Sequence, residues 1–281
     1  MEILIQPADL RARVRSWRMN GERVAFVPTM GNLHSGHGDL VMRARNLAHR
    51  VVVSVFVNPT QFGPNEDYAQ YPRTPDEDRV LLENIGADAL FVPEVDGVYP
   101  EGHTHSTIVD VPELSGILCG EFRPGHFRGV ATVVVKLLNI VAPDVALFGE
   151  KDYQQLTIIR RATLDLCLPV EIVGVPTVRE PNGLAMSSRN RYLTAQDRVA
   201  APRIFAALDT ARRALQSGNR DFAALEQAGK QSLIDAGFKV DYFAIRDTTL
   251  QATPVNAREY VVLTAARIGR ARLIDNVRAV I

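Results

Sequence analysis

The sequence predicts an α/β protein: a Rossmann-like parallel-sheet domain over residues 1–176, followed by a smaller α+β domain over residues 177–281. Three observations predict it. Apolar runs of strand length alternate with helical patterns as far as Pro176. The run 51–57 is almost wholly β-branched, as in a strand buried on both faces. Beyond Pro176, helical patterns come first and strand patterns follow, the order of an α+β unit.

In chain order, 3–5 is a short strand, and 7–19 is a basic helix with Leu10, Val14 and Trp17 on one face and Gly21 after its end. The apolar run 24–27 is the next strand, broken by Pro28 and Gly31. His34 and His37 then flank Ser35 and Gly36, and a helix begins at once, with Leu40, Val41, Ala44, Leu47 and Ala48 at three- and four-residue spacing. The strand 51–57 ends in Asn58, Pro59, Thr60 and Gln61. Thr74 to Glu77 reads as a capping box with Pro75 at the first helical position, and Gly86 closes that helix. This explains the acidic trio Asp76, Glu77 and Asp78 locally, with magnesium binding as the alternative. Residues 87–92 and 107–111 read as strands, with a loop at 99–105. Residues 118–128 are glycine-rich and carry Arg123, His126 and Arg128; they read either as a mobile cover over a site or as a surface loop.

A core helix covers 129–141, a strand 144–148, a helix runs to about residue 166, and a strand covers 170–175. Residues 179–191 are polar and basic, a flexible loop or linker. Thr194 caps one long helix to residue 215, a second helix covers 221–236, and 240–246, 259–266 and 271–275 read as strands.

In a parallel sheet, ligands bind at the carboxyl ends of strands. The loop before His34 lies there, and the helix start adds unpaired N–H groups and the positive end of a dipole, which suits phosphate. His34 and His37, three residues apart, face one bound anion. Taken alone, a His at a helix start is more often a cap. Two phosphate fingerprints nearly match and fail. His37 and Gly38 stand where a P-loop has Lys and Ser/Thr, and Val41 stands where a dinucleotide loop has its third glycine. Asn58 and Gln61 reach the same sheet edge, where an amide both donates and accepts. Residues 149–152 form a second strand–loop–helix junction, with Lys151 placed as a point charge for phosphate. Ser187, Ser188 and Arg189 are good phosphate ligands in the 179–191 segment.

The 32 basic and 32 acidic residues balance, which argues against a nucleic-acid or membrane-surface partner. Cys119 and Cys167 fit no zinc or redox spacing, so idle or buried thiols in a reducing cytoplasm are expected. No signal peptide and no membrane-spanning run is visible.

Together the stretches PTMGNLHSGH, FVNPTQF, YPRTP, HFRGV, LFGEKDYQQL and VPTVREPNGLAMSSRNRYL resemble the pantoate–β-alanine ligase family of the HxGH nucleotidyltransferase superfamily. The resemblance implies ATP-dependent joining of pantoate to β-alanine, giving pantothenate, AMP and pyrophosphate in a homodimer that uses Mg2+. It implies ATP binding by Met30, Gly31, Asn32, Leu33, His34, Ser35, Gly36 and His37, with His37 as proton donor. Gly149, Glu150, Lys151 and Asp152 resemble a second ATP segment, and Val178, Met186, Ser187, Ser188 and Arg189 a third, the counterpart of a KMSKS loop. Gln61 and Gln155 resemble pantoate ligands, with Gln61 also near β-alanine. Gly38 departs from the family, which usually has a larger apolar residue there. Charge stabilisation of the leaving pyrophosphate then falls to His34, His37, Lys151, Ser187, Ser188 and Arg189. Closure of the 179–191 loop and the C-terminal domain would exclude water. The alternatives are another HxGH nucleotidyltransferase, which keeps the nucleotide in its product, and a non-catalytic nucleotide-binding module.

Overall fold

The computed structural model describes residues 1–64, 66, 68–252 and 257–281. Two compact units divide it: residues 1–150 with 155–176, and residues 151–154 with 177–281.

The first unit is a six-stranded parallel sheet in the order β1-β4-β3-β2-β5-β6. Its strands are β1 (Glu2–Leu4), β2 (Val24–Thr29), β3 (Arg50–Val55), β4 (Ala89–Phe91), β5 (Val145–Gly149) and β6 (Glu171–Val175). The helices are α1 (Pro7–Met19), α2 (Ser35–Arg45), α3 (Pro75–Ile85), the short turns α4 (Val95–Val98), α5 (Pro112–Ser115) and α6 (Cys119–Phe122), then α7 (His126–Val141) and α8 (Tyr153–Asp165). Helix α1 buries Leu10, Val14 and Trp17 against one face of the sheet, with Phe26, Val52, Phe91 and Leu137 in the same cluster. Each such side chain, fully buried, contributes roughly 1.5–3 kcal/mol. The opposite face packs Val27, Leu40, Val41, Val53 and Leu82. The strand order changes direction between β2 and β5, so their carboxyl ends bound the crevice where this fold class binds ligands.

Strand β2 continues through Pro28, which the sequence marks as a breaker. Pairing with β5 stops at Phe26, so the missing Pro28 N–H leaves no gap on that side, while Pro28 and Thr29 stay in register with Ser54 and Val55. No strand forms over 107–111. The Thr132 hydroxyl on α7 takes up that segment instead, accepting from the Val109 N–H at 2.9 Å. The Thr74 side chain makes no capping bond to α3; it donates to Asp78 Oδ1 at 3.1 Å. Cys119 is buried, whereas Cys167 is exposed.

The second unit has helices α9 (Ala195–Ala200), α10 (Arg203–Gln216) and α11 (Phe222–Asp235), and an antiparallel sheet of β7 (Lys239–Arg246), β8 (Glu259–Ile268) and β9 (Ala271–Val280). Thr194 and Asp197 make a reciprocal capping box. The single helix expected from there to residue 215 is two, because Pro202 lacks an N–H and its ring crowds the preceding turn. Strand β9 runs past the expected end at Asp275 and stays paired to β8 as far as Val280. Among the described residues, no helix is long and apolar enough to cross a membrane.

Gly38 lies in the first turns of α2, buried, and an added Cβ would meet Ile85 Cδ1 at 3.4 Å, an ordinary contact. Gly38→Ala is therefore expected to stabilise the fold by about 0.5–1 kcal/mol, read as a higher urea midpoint at unchanged slope. A lower midpoint would show that the site cannot accept a methyl group.

Candidate active site

The loop after β2 is held by groups behind it. The Thr29 hydroxyl donates to Ser54 O at 2.7 Å and accepts from the Gly31 N–H at 3.2 Å. The Asp78 carboxylate on α3, only 2% exposed, accepts from the Asn32 N–H at 2.9 Å and the Leu33 N–H at 2.7 Å. These bonds fold Gly31 (φ +79°) and Asn32 (φ +52°) into consecutive left-handed conformations. Glycine is required at 31 on space as well, since a Cβ there would lie 2.9 Å from Val55 Cγ1 and 3.0 Å from Asp78 Oδ2. Asparagine is among the few residues that tolerate such a φ.

This turn delivers His34 to the N-cap of α2. His34 Nδ1 accepts from the Gly36 N–H at 3.1 Å, and His37 Nδ1 accepts from the His34 N–H at 3.2 Å. Two imidazoles thus form a reciprocal capping box, with ring centroids 4.2 Å apart. An Nδ1 that accepts carries no proton, so each neutral ring holds its proton on Nε2. The sequence predicts helix-start N–H groups left unpaired for phosphate. In the structure the Gly36 N–H bonds His34 Nδ1 and the His37 and Gly38 N–H groups bond His34 O, while in the loop before the helix the N–H groups of Gly31, Asn32, Leu33 and His34 have protein acceptors too. Of the two readings open in sequence, the cap is the one present in the structure.

Asn58 and Gln61 occupy the end of β3, with Pro59–Gln61 forming a 3₁₀ turn. Asn58 is 1% exposed and serves as internal support. Its Oδ1 accepts from the Tyr99 hydroxyl at 2.8 Å and the Thr60 hydroxyl at 3.1 Å; its Nδ2 donates to Gln61 Oε1 at 3.1 Å and Gly129 O at 3.2 Å. Burial pushes the Tyr99 phenol up, which keeps it a donor. Gln61 donates from Nε2 to Met30 Sδ at 3.0 Å, which ties it to the loop before His34. One further N–H and one lone pair of that amide lie beyond these bonds.

The 118–128 segment is anchored rather than a loose cover. Arg123 grips Glu66 with two bonds of 2.6 Å and reaches His126 Nε2 at 2.8 Å. An Nε2 that accepts leaves His126 Nδ1 protonated, and it donates to Gln61 O at 2.8 Å. Burial pushes the Glu66 carboxyl up, yet bonding and charge from Arg123 outweigh it and hold the group below its usual range. Gly120 in the segment serves close packing, since a Cβ there would collide with the Ser115 carbonyl.

In the second unit, Lys151 lies in the turn Glu150–Asp152, with its ammonium 3.8 Å from Asp152 Oδ1. The 179–191 segment is a fixed hairpin, with Arg179 bridged to Ala185 and the Met186 N–H bonded to Val178 O at 2.9 Å. Ser187 caps the turn Ser188–Tyr192 through its hydroxyl, which accepts from the Arg189 N–H at 3.3 Å. Val178, Met186, Ser187, Ser188 and Arg189 are thus one continuous structure. Gln155 is half-buried on α8, at the start of the first unit's second stretch.

Sequence reasoning missed Asp78, which it treated as a local cap, and Arg123 and His126 as supports of Gln61. The signal for Asp78 was available: a carboxylate inside a helix at an apolar-phase position, next to Leu82 in the buried stripe.

The family model for pantoate-beta-alanine ligase matches residues 2–278. The chain is 55% identical over 278 residues to pantothenate synthetase of Methylococcus capsulatus, covering 99% of this chain and 97% of that one. It is 55% identical over 269 residues to that of Shewanella amazonensis, covering 95% of each. A crystal structure of pantothenate synthetase from Thermus thermophilus superposes with a TM-score of 0.92 at 48% identity, covering 99% of both chains. A pantoate-beta-alanine ligase from Francisella tularensis, in complex with beta-gamma ATP and beta-alanine, superposes at 0.82 with 35% identity, covering 99% of this chain and 97% of that one.

Asp78→Asn keeps the volume but turns an NH2 toward one of two N–H donors. A loss of about 1–3 kcal/mol is expected in urea unfolding. An unchanged midpoint would show that the carboxylate does not hold the loop.

Proposed function

The chain belongs to the pantoate–β-alanine ligase family, and from that premise we propose that it joins (R)-pantoate to β-alanine through a pantoyl adenylate, releasing AMP and pyrophosphate. The family match over nearly the whole chain is the observation that carries this reading. The pantoate carboxylate is ionised at neutral pH and needs no base to attack the α-phosphate of ATP. A carboxylate O–P bond forms as the bond to pyrophosphate breaks. The barrier is charge and in-line placement. His34 and His37 supply Nε2–H donors to that charge, with His37 the proton donor that the family resemblance assigns. The family resemblance assigns Lys151, Ser187, Ser188 and Arg189 to phosphate as well, and Met30 to Leu33, Ser35, Gly36, Gly149, Glu150, Asp152, Val178 and Met186 to the nucleotide. Gln61 and Gln155 hold pantoate by neutral hydrogen bonds, and Asn58 orients Gln61. The β-alanine amine then attacks the acyl carbon, loses a proton, and displaces AMP. Water must be kept out, because it would hydrolyse the adenylate.

Bound with ATP, magnesium would neutralise charge on the phosphates. Among the described residues no cluster of three or more His, Cys, Asp or Glu is arranged to hold a metal, and both oxygens of Asp78 already accept bonds. A cytoplasmic homodimer, without nucleic-acid or membrane partners, completes the proposal.

The test is exchange of labelled pyrophosphate into ATP with and without pantoate, then addition of β-alanine. Exchange that requires pantoate, followed by release of free AMP on amine addition, is expected. Exchange indifferent to pantoate, or a product that retains the nucleotide, would overturn the proposal. Lys151→Ala is expected to lose pantoate-dependent exchange by orders of magnitude; near wild-type exchange in that variant would remove Lys151 from the reaction.

A further inference from the structure

Burial along β9 alternates with the pleat until Asp275 and Asn276, where two consecutive polar residues are buried, at 4% and 6% exposure. Burying polar groups costs free energy unless they are bonded, so the pair must have partners. Asp275 takes a bidentate bond from Arg179, at 2.6 Å to Oδ2 and 2.9 Å to Oδ1. Arg179 also donates to Gly183 O and to Asn276 O, both at 3.1 Å, and its guanidinium stacks 4.1 Å over the Phe205 ring. Arg179 opens the hairpin that carries Met186, Ser187, Ser188 and Arg189. Asn276 donates from Nδ2 to the Lys151 carbonyl at 2.9 Å. Burial pushes the Asp275 carboxyl up, opposed by Arg179, the Asn276 N–H and the charge of Lys151. Two segments far apart in sequence thus meet on two adjacent residues of one strand, all within the second unit.

We infer that Asp275 and Asn276 are positioning residues for the phosphate contacts: they fix the Lys151 turn and the Arg179 hairpin to one strand. The spacing between the Lys151 ammonium and the Ser187–Ser188–Arg189 group is then set before nucleotide binds. Neither residue touches substrate. The inference rests on the reading that Lys151 and the 186–189 segment bind ATP.

The test measures ATP affinity by calorimetry, and KM for ATP and for pantoate in the exchange assay, in Asn276→Ala, Lys151→Ala and the double variant. Asn276→Ala is expected to weaken ATP roughly three- to tenfold, the worth of one hydrogen bond, with pantoate KM unchanged. In the Lys151→Ala background the same change is expected to add less than about twofold, because the two act as one unit. A merely structural role would lower the active fraction and kcat with both KM values unchanged. Wild-type ATP affinity in Asn276→Ala, or effects that add fully with Lys151→Ala, would overturn the inference. Wild-type ATP affinity in Lys151→Ala would instead overturn the reading beneath it. Should Asn276→Ala not fold, Asn276→Ser, whose hydroxyl is too short to reach the Lys151 carbonyl, gives the same readout.

Discussion

The Asp78 carboxylate determines the shape of the first unit's ligand edge. A carboxylate 2% exposed is costly to bury unless its oxygens are bonded. Here the Asn32 and Leu33 N–H groups and the Thr74 hydroxyl bond it. In return it holds two successive residues in the left-handed region, and that turn brings His34 to the start of α2. Without it the loop would have no acceptor for the Asn32 and Leu33 N–H groups, and the capping pair of imidazoles would lose its approach.

The chemical consequence is a division of labour between main chain and side chain. A glycine-rich phosphate loop presents its own N–H groups to the anion. In this chain those groups bond Thr29, Asp78 and the two imidazoles. Each imidazole accepts at Nδ1, which leaves the proton of the neutral ring on Nε2. Asn58 does the same for pantoate's expected ligand: a fully bonded amide holds Gln61, whose own amide keeps capacity to spare.

Much of this was legible in sequence because it is local. The 7–19 helix, the strands of the sheet, the HxGH junction and the 149–152 junction follow from periodicity and punctuation over a few residues. The misread parts depend on distant partners or on a single competing bond. Asp78 reads as part of an N-terminal acidic cluster, and only the fold brings it to a loop 46 residues away. Arg123 and His126 look like loop decoration until Glu66 and Gln61 O meet them. Asp275 reads as a strand end because charge interrupts the apolar pattern, yet Arg179 supplies the partner that keeps it buried. Pro202 is visible and decisive, but the helical pattern on both sides of it masks the break.

The central claim is that the loop and cap place the proton of both imidazoles on Nε2. The most direct measurement is a long-range ¹H–¹⁵N correlation spectrum of histidine-labelled protein at a pH where both rings are neutral, assigned with His34→Asn and His37→Asn. The account predicts Nε2–H tautomers for both rings, with unprotonated Nδ1 atoms shifted as hydrogen-bond acceptors. An Nδ1–H tautomer at either ring would contradict it.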